Sequence, residues 1–190
     1  MNIADGGIVI VGQPRTGSTN LQKSICSYYK KKIIFEPNFM TDDNYDPLND
    51  VVKVFPYHPA YHDGTEKFDY NVVLNKIKQF NTIILLNRRN KNEQIESFYA
   101  VIDKLEGVYE AKWYDSLLDI SKERYEYYKG YFDEADSIHK RIASDLNLEI
   151  NFFEDVFKDK KLNIDIGLDL EYFTKDRKLR INSKKQKTLI

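Results

Sequence analysis

Between the apolar run Ile8-Val9-Ile10-Val11 and a stretch with helical spacing lies Gly12-Gln13-Pro14-Arg15-Thr16-Gly17-Ser18-Thr19, whose residue types suit an anion. Two glycines five residues apart permit a tight turn, and the hydroxyl pair Ser18-Thr19 opens the helix. Amides of residues 16 to 19 at a helix N-terminus would face one concavity, where the dipole also favours negative charge. The lysine that a nucleoside-triphosphate loop places just after its second glycine is absent. Ser18 stands there, and the nearby cation is Arg15, three residues earlier. The expectation is a 5′-phosphate site without β/γ-phosphate and magnesium chemistry, in which the forked donors of Arg15 grip a group attached to that phosphate. The plain alternative is a strand–helix turn that uses glycine for close packing.

A second constellation, Asn87-Arg88-Arg89-Asn90-Lys91-Asn92-Glu93-Gln94-Ile95-Glu96-Ser97-Phe98-Tyr99, also follows an apolar strand. An arginine leaving a strand and a serine two helical turns later, here Arg89 and Ser97, can converge on one small anion. The alternative is a solvated, charged helix start.

The elements that must hold these residues are legible as alternation. Ile8–Val11, Ile33–Phe35, Val51–Phe55, Thr82–Leu86 and Leu148–Phe153 read as short buried strands. Helical spacing follows Ser18 or Thr19, either of which suits the cap, and recurs over 66–80, 93–105 and 109–146, with Gly130 a candidate break. Residues 38–50 read as an exposed loop. Repeated strand–helix alternation predicts an α/β fold, three layers α/β/α around a mainly parallel sheet, with ligands beyond the carboxyl ends of the strands. The segments 12–20, 36–40 and 87–97 leave those ends.

Composition bounds the rest. A chain of 190 residues suits one domain, 1–190, with a basic tail from about 175 that reads as partly disordered. With 29 basic and 30 acidic residues the formal net charge is −1, so no general affinity for nucleic acid or anionic membrane is indicated. Cys26 is the lone cysteine, which excludes an internal disulfide and a cysteine metal cluster. No signal-peptide pattern and no membrane-length apolar run is present, so the expected location is the cytoplasm. His58 and His62 lie four apart, but Pro59 and Asp63-Gly64 argue against the helix that would make this a metal pair.

Together the two loops resemble the sulfotransferases that use 3′-phosphoadenosine 5′-phosphosulfate (PAPS). Pro14-Arg15-Thr16-Gly17-Ser18-Thr19-Asn20 is similar, position by position, to that family's PKSGTTW segment, with the arginine-for-lysine variant shared by bacterial and carbohydrate-type members. Arg89 and Ser97-Phe98-Tyr99 match its arginine, the serine eight residues on and the aromatics that follow, and Phe153-Glu154-Asp155-Val156 is loosely similar to its YEDL segment. The resemblance spans about residues 8–157. It implies a P-loop-like sulfotransferase fold, with PAPS as donor and the 3′,5′-bisphosphate PAP as product. It also implies 5′-phosphosulfate contacts from Pro14 to Asn20, 3′-phosphate contacts from Arg89 and Ser97, and no metal. Asn20 stands where many members have an adenine-stacking tryptophan, so another aromatic must stack.

Cytosolic members carry Lys-Thr-His after a strand; in Val51-Val52-Lys53-Val54-Phe55-Pro56 the histidine's place is taken by Phe55. Other members use a glutamate after the second strand, as Glu36 in Phe35-Glu36-Pro37 is placed. A partly buried carboxylate there, beside the phosphate loop, would accept a hydroxyl proton. Its plain alternative is a surface residue or a partner for a lysine. Lys53 reads either as a charge stabiliser or as a snorkelling side chain on an edge strand. His58 is the reserve base or acceptor contact, and Tyr61, Trp113 or a tyrosine between 114 and 131 are candidates for the acceptor pocket. The expected activity is sulfuryl transfer from PAPS to a hydroxyl or amine of a small-molecule or carbohydrate acceptor. The rivals are a P-loop nucleotide kinase and a nucleotide-binding module without catalysis.

Overall fold

A computed structural model describes residues 6–104 and 120–157. Its strands are β1 (Ile8–Gly12), β2 (Ile33–Phe35), β3 (Val51–Val54), β4 (Thr82–Asn87) and β5 (Ile150–Phe152). Its helices are α1 (Ser18–Tyr29), α2 (Pro59–His62), α3 (Tyr70–Ile77), α4 (Lys91–Tyr99), α5 (Lys122–Leu146) and α6 (Phe153–Val156). A π-helical turn, Ala100–Lys104, continues α4. All strand pairs are parallel and the order is β2-β3-β1-β4-β5.

Side chains alternate across a strand, and each face of this sheet is covered by helices, which is why its strands read as unbroken apolar runs. Ile8 and Ile10 of β1, Ile84 and Leu86 of β4 and Val51 of β3 face Leu21 and Ile25 of α1 and Val156 of α6. Val9, Val11, Val52, Val54 and Leu85 face the other way, against Val73, Leu74 and Ile77 of α3 and Ile142 of α5. The fold is therefore α/β with helices on both faces of a parallel sheet, as the alternation predicts. A third cluster joins α4 to α5 through Ile95, Phe98, Tyr99, Tyr128, Tyr131 and Phe132, and this is where several of the tyrosines go.

Local expectations fail in instructive places. The α1 cap is Gly17, in left-handed backbone at φ 79° with no side-chain cap; Ser18 and Thr19 lie inside the helix. Pro59 does not prevent a helical turn at 59–62. It opens that turn, where its missing N–H costs nothing, and His58 caps it by accepting from the Ala60 amide at 3.3 Å. Gly130 does not interrupt α5, because one helical glycine costs only about 1 kcal/mol and Tyr128, Tyr131 and Phe132 are buried around it. The remaining expectations for 109–119, Trp113 and the basic tail fall outside the described residues.

Candidate functional site

Parallel strands send their following loops to one edge of the sheet. Residues 13–17 leave β1, Glu36 leaves β2, Phe55 leaves β3 and Arg88–Asn90 leave β4. Within the first loop the side chains divide between shaping and presenting. Thr16 is fully buried and its hydroxyl donates to the Gln13 carbonyl at 2.8 Å, so only its backbone is available to a ligand. Pro14 and Ser18 are buried too, and the Pro14 carbonyl accepts from Gln94 Nε2 at 2.7 Å. Asn20 is half-buried in the first turn of α1. Gly17 is obligatory here: besides its φ of 79°, a Cβ would stand 2.7 Å from the Phe153 ring. With no side-chain cap, the first-turn amides of α1 keep their capacity to bind an anion.

Arg15 reaches across to the second constellation, where its Nε donates to Ser97 Oγ at 2.8 Å. Residues 82 apart in sequence thus join at one point, and the first and second motifs meet there. Ser97 is joined to Arg15 rather than to Arg89. The Arg89 guanidinium makes two hydrogen bonds to the Asp155 carboxylate, at 2.7 and 2.5 Å, and lies 4.2 Å from the Phe152 ring centre. Glu154 accepts from the Arg89 and Asn90 amides at 3.0 and 3.1 Å, so the Phe153–Val156 segment clasps the start of α4. Arg88, which the sequence did not single out, is the more buried of the arginine pair. It donates to Glu93 at 2.5 Å and to the Arg15 carbonyl at 3.4 Å. Only the Arg-Arg doublet signalled it, and nothing in the doublet says which member turns inward.

On the other side of the loop stands a second ion pair. β3 is interior, so Lys53 is not on an edge strand and does not snorkel. Its side chain is 4% exposed and points to the α1 face of the sheet, because 53 has the same parity as 51. Its ammonium hydrogen-bonds Thr19 Oγ1 at 2.7 Å and pairs with the Glu36 carboxylate. Burial pulls the Lys53 ammonium below the ordinary lysine range, and Glu36 opposes that pull. Glu36 itself is 43% exposed, more open than the partly buried carboxylate expected.

Beyond Glu36 opens a cavity of about 230 Å³ lined by Glu36, Pro37, Asn38, Phe55, His58, Tyr61 and Glu66. Tyr61 and His58 thus line one cavity with Glu36. The two histidines are committed separately: His58 caps α2, and His62 Nδ1 lies 2.9 Å from Glu134. Cys26 is buried, and burial pushes its thiol up to about 11.

Under the first loop lies a polar cluster that sequence spacing gave no sign of. Asp136 of α5 accepts through Oδ1 from Lys91 at 2.8 Å, from Asn87 at 3.0 Å and from Gln13. Lys91 also donates to Asn87 and Gln94, tying β1, β4, α4 and α5 together. His139, one turn further along α5, is fully buried; among the described residues its ring nitrogens make no well-formed hydrogen bond, though the Val11 backbone and Asp136 lie near enough to favour the charged ring. Burial lowers its pKa from 6.5 to about 4.

The backbone marks the same site. Among the described residues, the non-glycine positions with positive φ are Arg15 (66°), Lys30 (54°), Glu36 (46°) and Asn147 (52°). Lys30 and Asn147 end α1 and α5, where left-handed caps are ordinary. Arg15 and Glu36 cap no helix, and each holds its side chain at the loop edge at a backbone cost.

The described residues form an α/β fold, a five-stranded parallel sheet with helices on both faces, and the loops that follow β1 and β4 meet at its carboxyl edge. No family model, curated protein or solved structure matches the chain. Among the described residues no helix is long and apolar enough to cross a membrane.

Proposed function

We propose that this chain is a small sulfotransferase that moves a sulfuryl group from PAPS to a hydroxyl or amine of a small-molecule or carbohydrate acceptor and releases PAP. The observation that carries the reading is the junction at the loop: Arg15 bonded to Ser97 on one side, Lys53 bonded to Thr19 and Glu36 on the other. When bound, PAPS supplies the sulfuryl group and its leaving phosphate. The residues present suit that donor, since an uncapped helix start and a forked cation flank one loop. Arg15 and the amides of Gly17, Ser18 and Thr19 stabilise negative charge developing on the bridging oxygen. Glu36, held by Lys53 at the mouth of the cavity, takes the acceptor's proton. Arg89 and Ser97 select the nucleotide through its 3′-phosphate, Arg89 by exchanging Asp155 for it and Ser97 by exchanging Arg15. Two cations and a helix terminus serve a transferred group less charged than a phosphoryl, so no metal is called for.

Thermal shift with PAP, 5′-ADP and ATP with magnesium tests the donor. Saturation at 100 times Kd adds about 2.7 kcal/mol, or several degrees at this size. PAP is expected to stabilise most. A shift with ATP and magnesium but none with PAP overturns the reading in favour of a kinase. PAP binding without transfer to any acceptor reduces it to a nucleotide-binding module.

A further inference from the structure

The cavity beyond Glu36 has a chemistry of its own. Its lining includes two carboxylates, Glu36 and Glu66, and neither lysine nor arginine. Lys53 compensates Glu36 from beneath, but among the described residues no cation pairs with Glu66. Glu66 is nevertheless held in place. Tyr61 Oη donates to Asn38 Oδ1 at 2.6 Å, Asn38 Nδ2 donates to Glu66 Oε2 at 3.1 Å, and the Glu66 amide donates to the Ala60 carbonyl at 2.9 Å. Phe55 and Tyr61 supply aromatic walls. The Phe55 ring centre already lies 5.1 Å from the Lys53 ammonium, so what an oriented carboxylate without a cation partner offers an ammonium group here is chiefly charge. At about 230 Å³ the space lies below the roughly 300–1,000 Å³ of drug-sized ligand sites.

We propose that the acceptor is a small cationic amino alcohol, no larger than an amino sugar or a hydroxylated benzylamine, with its ammonium at Glu66 and its hydroxyl at Glu36. This inference rests on the sulfotransferase reading. The acceptor oxygen bonds to sulfur as the bond from sulfur to the bridging phosphate oxygen breaks, Glu36 receives the hydroxyl proton, and PAP leaves with the electron pair.

The test uses matched probes with the full chain: glucosamine, glucose and glucuronate, and hydroxybenzylamine, cresol and hydroxybenzoate. Each is titrated by calorimetry with and without PAP, and then offered with labelled PAPS. The cationic member of at least one series is expected to bind about tenfold tighter than its neutral counterpart and to take the label best. Glu66→Gln, at an exposed position that the fold tolerates, is expected to bring that ratio close to one. Equal or better use of the neutral members, an unchanged ratio in Glu66→Gln, or no binding by any probe overturns the inference. Cation preference in binding without PAP binding or label transfer upholds this cavity and overturns the sulfotransferase reading; label transfer to neutral acceptors alone does the reverse.

Discussion

Two lysine–carboxylate pairs flank the anion loop, and they are mirror images in exposure. Lys53 is 4% exposed and its partner Glu36 43%; Lys91 is 28% exposed and its partner Asp136 17%. In the first pair the lysine is sunk into the sheet and the carboxylate opens on a cavity. In the second the carboxylate is sunk and saturated, with donors from Gln13, Asn87 and Lys91 on a single oxygen. The same two functional groups therefore serve opposite ends: a saturated acceptor fixes the loops of β1 and β4, whereas an open one retains capacity to accept a further proton. On the proposed reading, the partner that faces water makes one pair a reagent and the other a scaffold.

The contrast breaks most visibly at Glu36. Glu36→Gln is expected to lower sulfuryl transfer by about 10²–10⁴-fold, the range for a lost general base. PAP affinity is expected to change little, whereas the urea midpoint falls, because the nearly buried Lys53 ammonium loses its countercharge. A retained rate removes Glu36 as base.

The closed side is sensed next by His139. Its folded-state pKa, about 4 against 6.5, lies below the unfolded one, so the unfolded chain binds the proton first as pH falls. Stability contributed by the neutral ring is present above about pH 6.5 and lost toward pH 4, roughly 3 kcal/mol in full. Denaturant unfolding of the wild type and His139→Leu at pH 7 and pH 4.5 measures it. The variant is expected to lose less over that interval, and equal losses refute the assignment.

Asp136→Asn leaves Lys91 partly buried without its countercharge and is expected to cost about 2 kcal/mol in urea unfolding while sulfuryl transfer persists. Should Asp136→Asn lower sulfuryl transfer as far as Glu36→Gln does, the division into scaffold and reagent fails. The smallest effect concerns backbone alone. At φ 46°, Glu36→Gly is expected to be about 1 kcal/mol more stable than Glu36→Ala, as read by thermal unfolding.

Much of this molecule was legible in the chain. β1 and β4 stand out because they are buried on both faces and bounded by Gly12 and by Asn87, and the strand–helix alternation followed from them. The burial of Lys53 was hidden, because short strands do not announce their order, and only an interior β3 turns an apparent edge lysine into a buried one. The Arg15–Ser97 and Lys91–Asp136 contacts span 82 and 45 residues and carry no periodic signal. Ser18 and Thr19 looked like caps because hydroxyls are good caps, but left-handed backbone at Gly17 takes that place and turns Thr19 toward Lys53. Glu36 was readable as a candidate from its position after a strand. The cavity beside it, assembled from 36–38, 55–61 and Glu66, was not.

The left-handed backbone at Arg15 and Glu36 has a consequence for how such a chain drifts. Glycine at both positions would relieve about 2 kcal/mol together, some thirtyfold in the ratio of folded to unfolded molecules. Glycine would also remove the Arg15 bond to Ser97 and the Glu36 countercharge to buried Lys53, so a stability-only selection would read out, position by position, whether backbone relief or side-chain bonding weighs more.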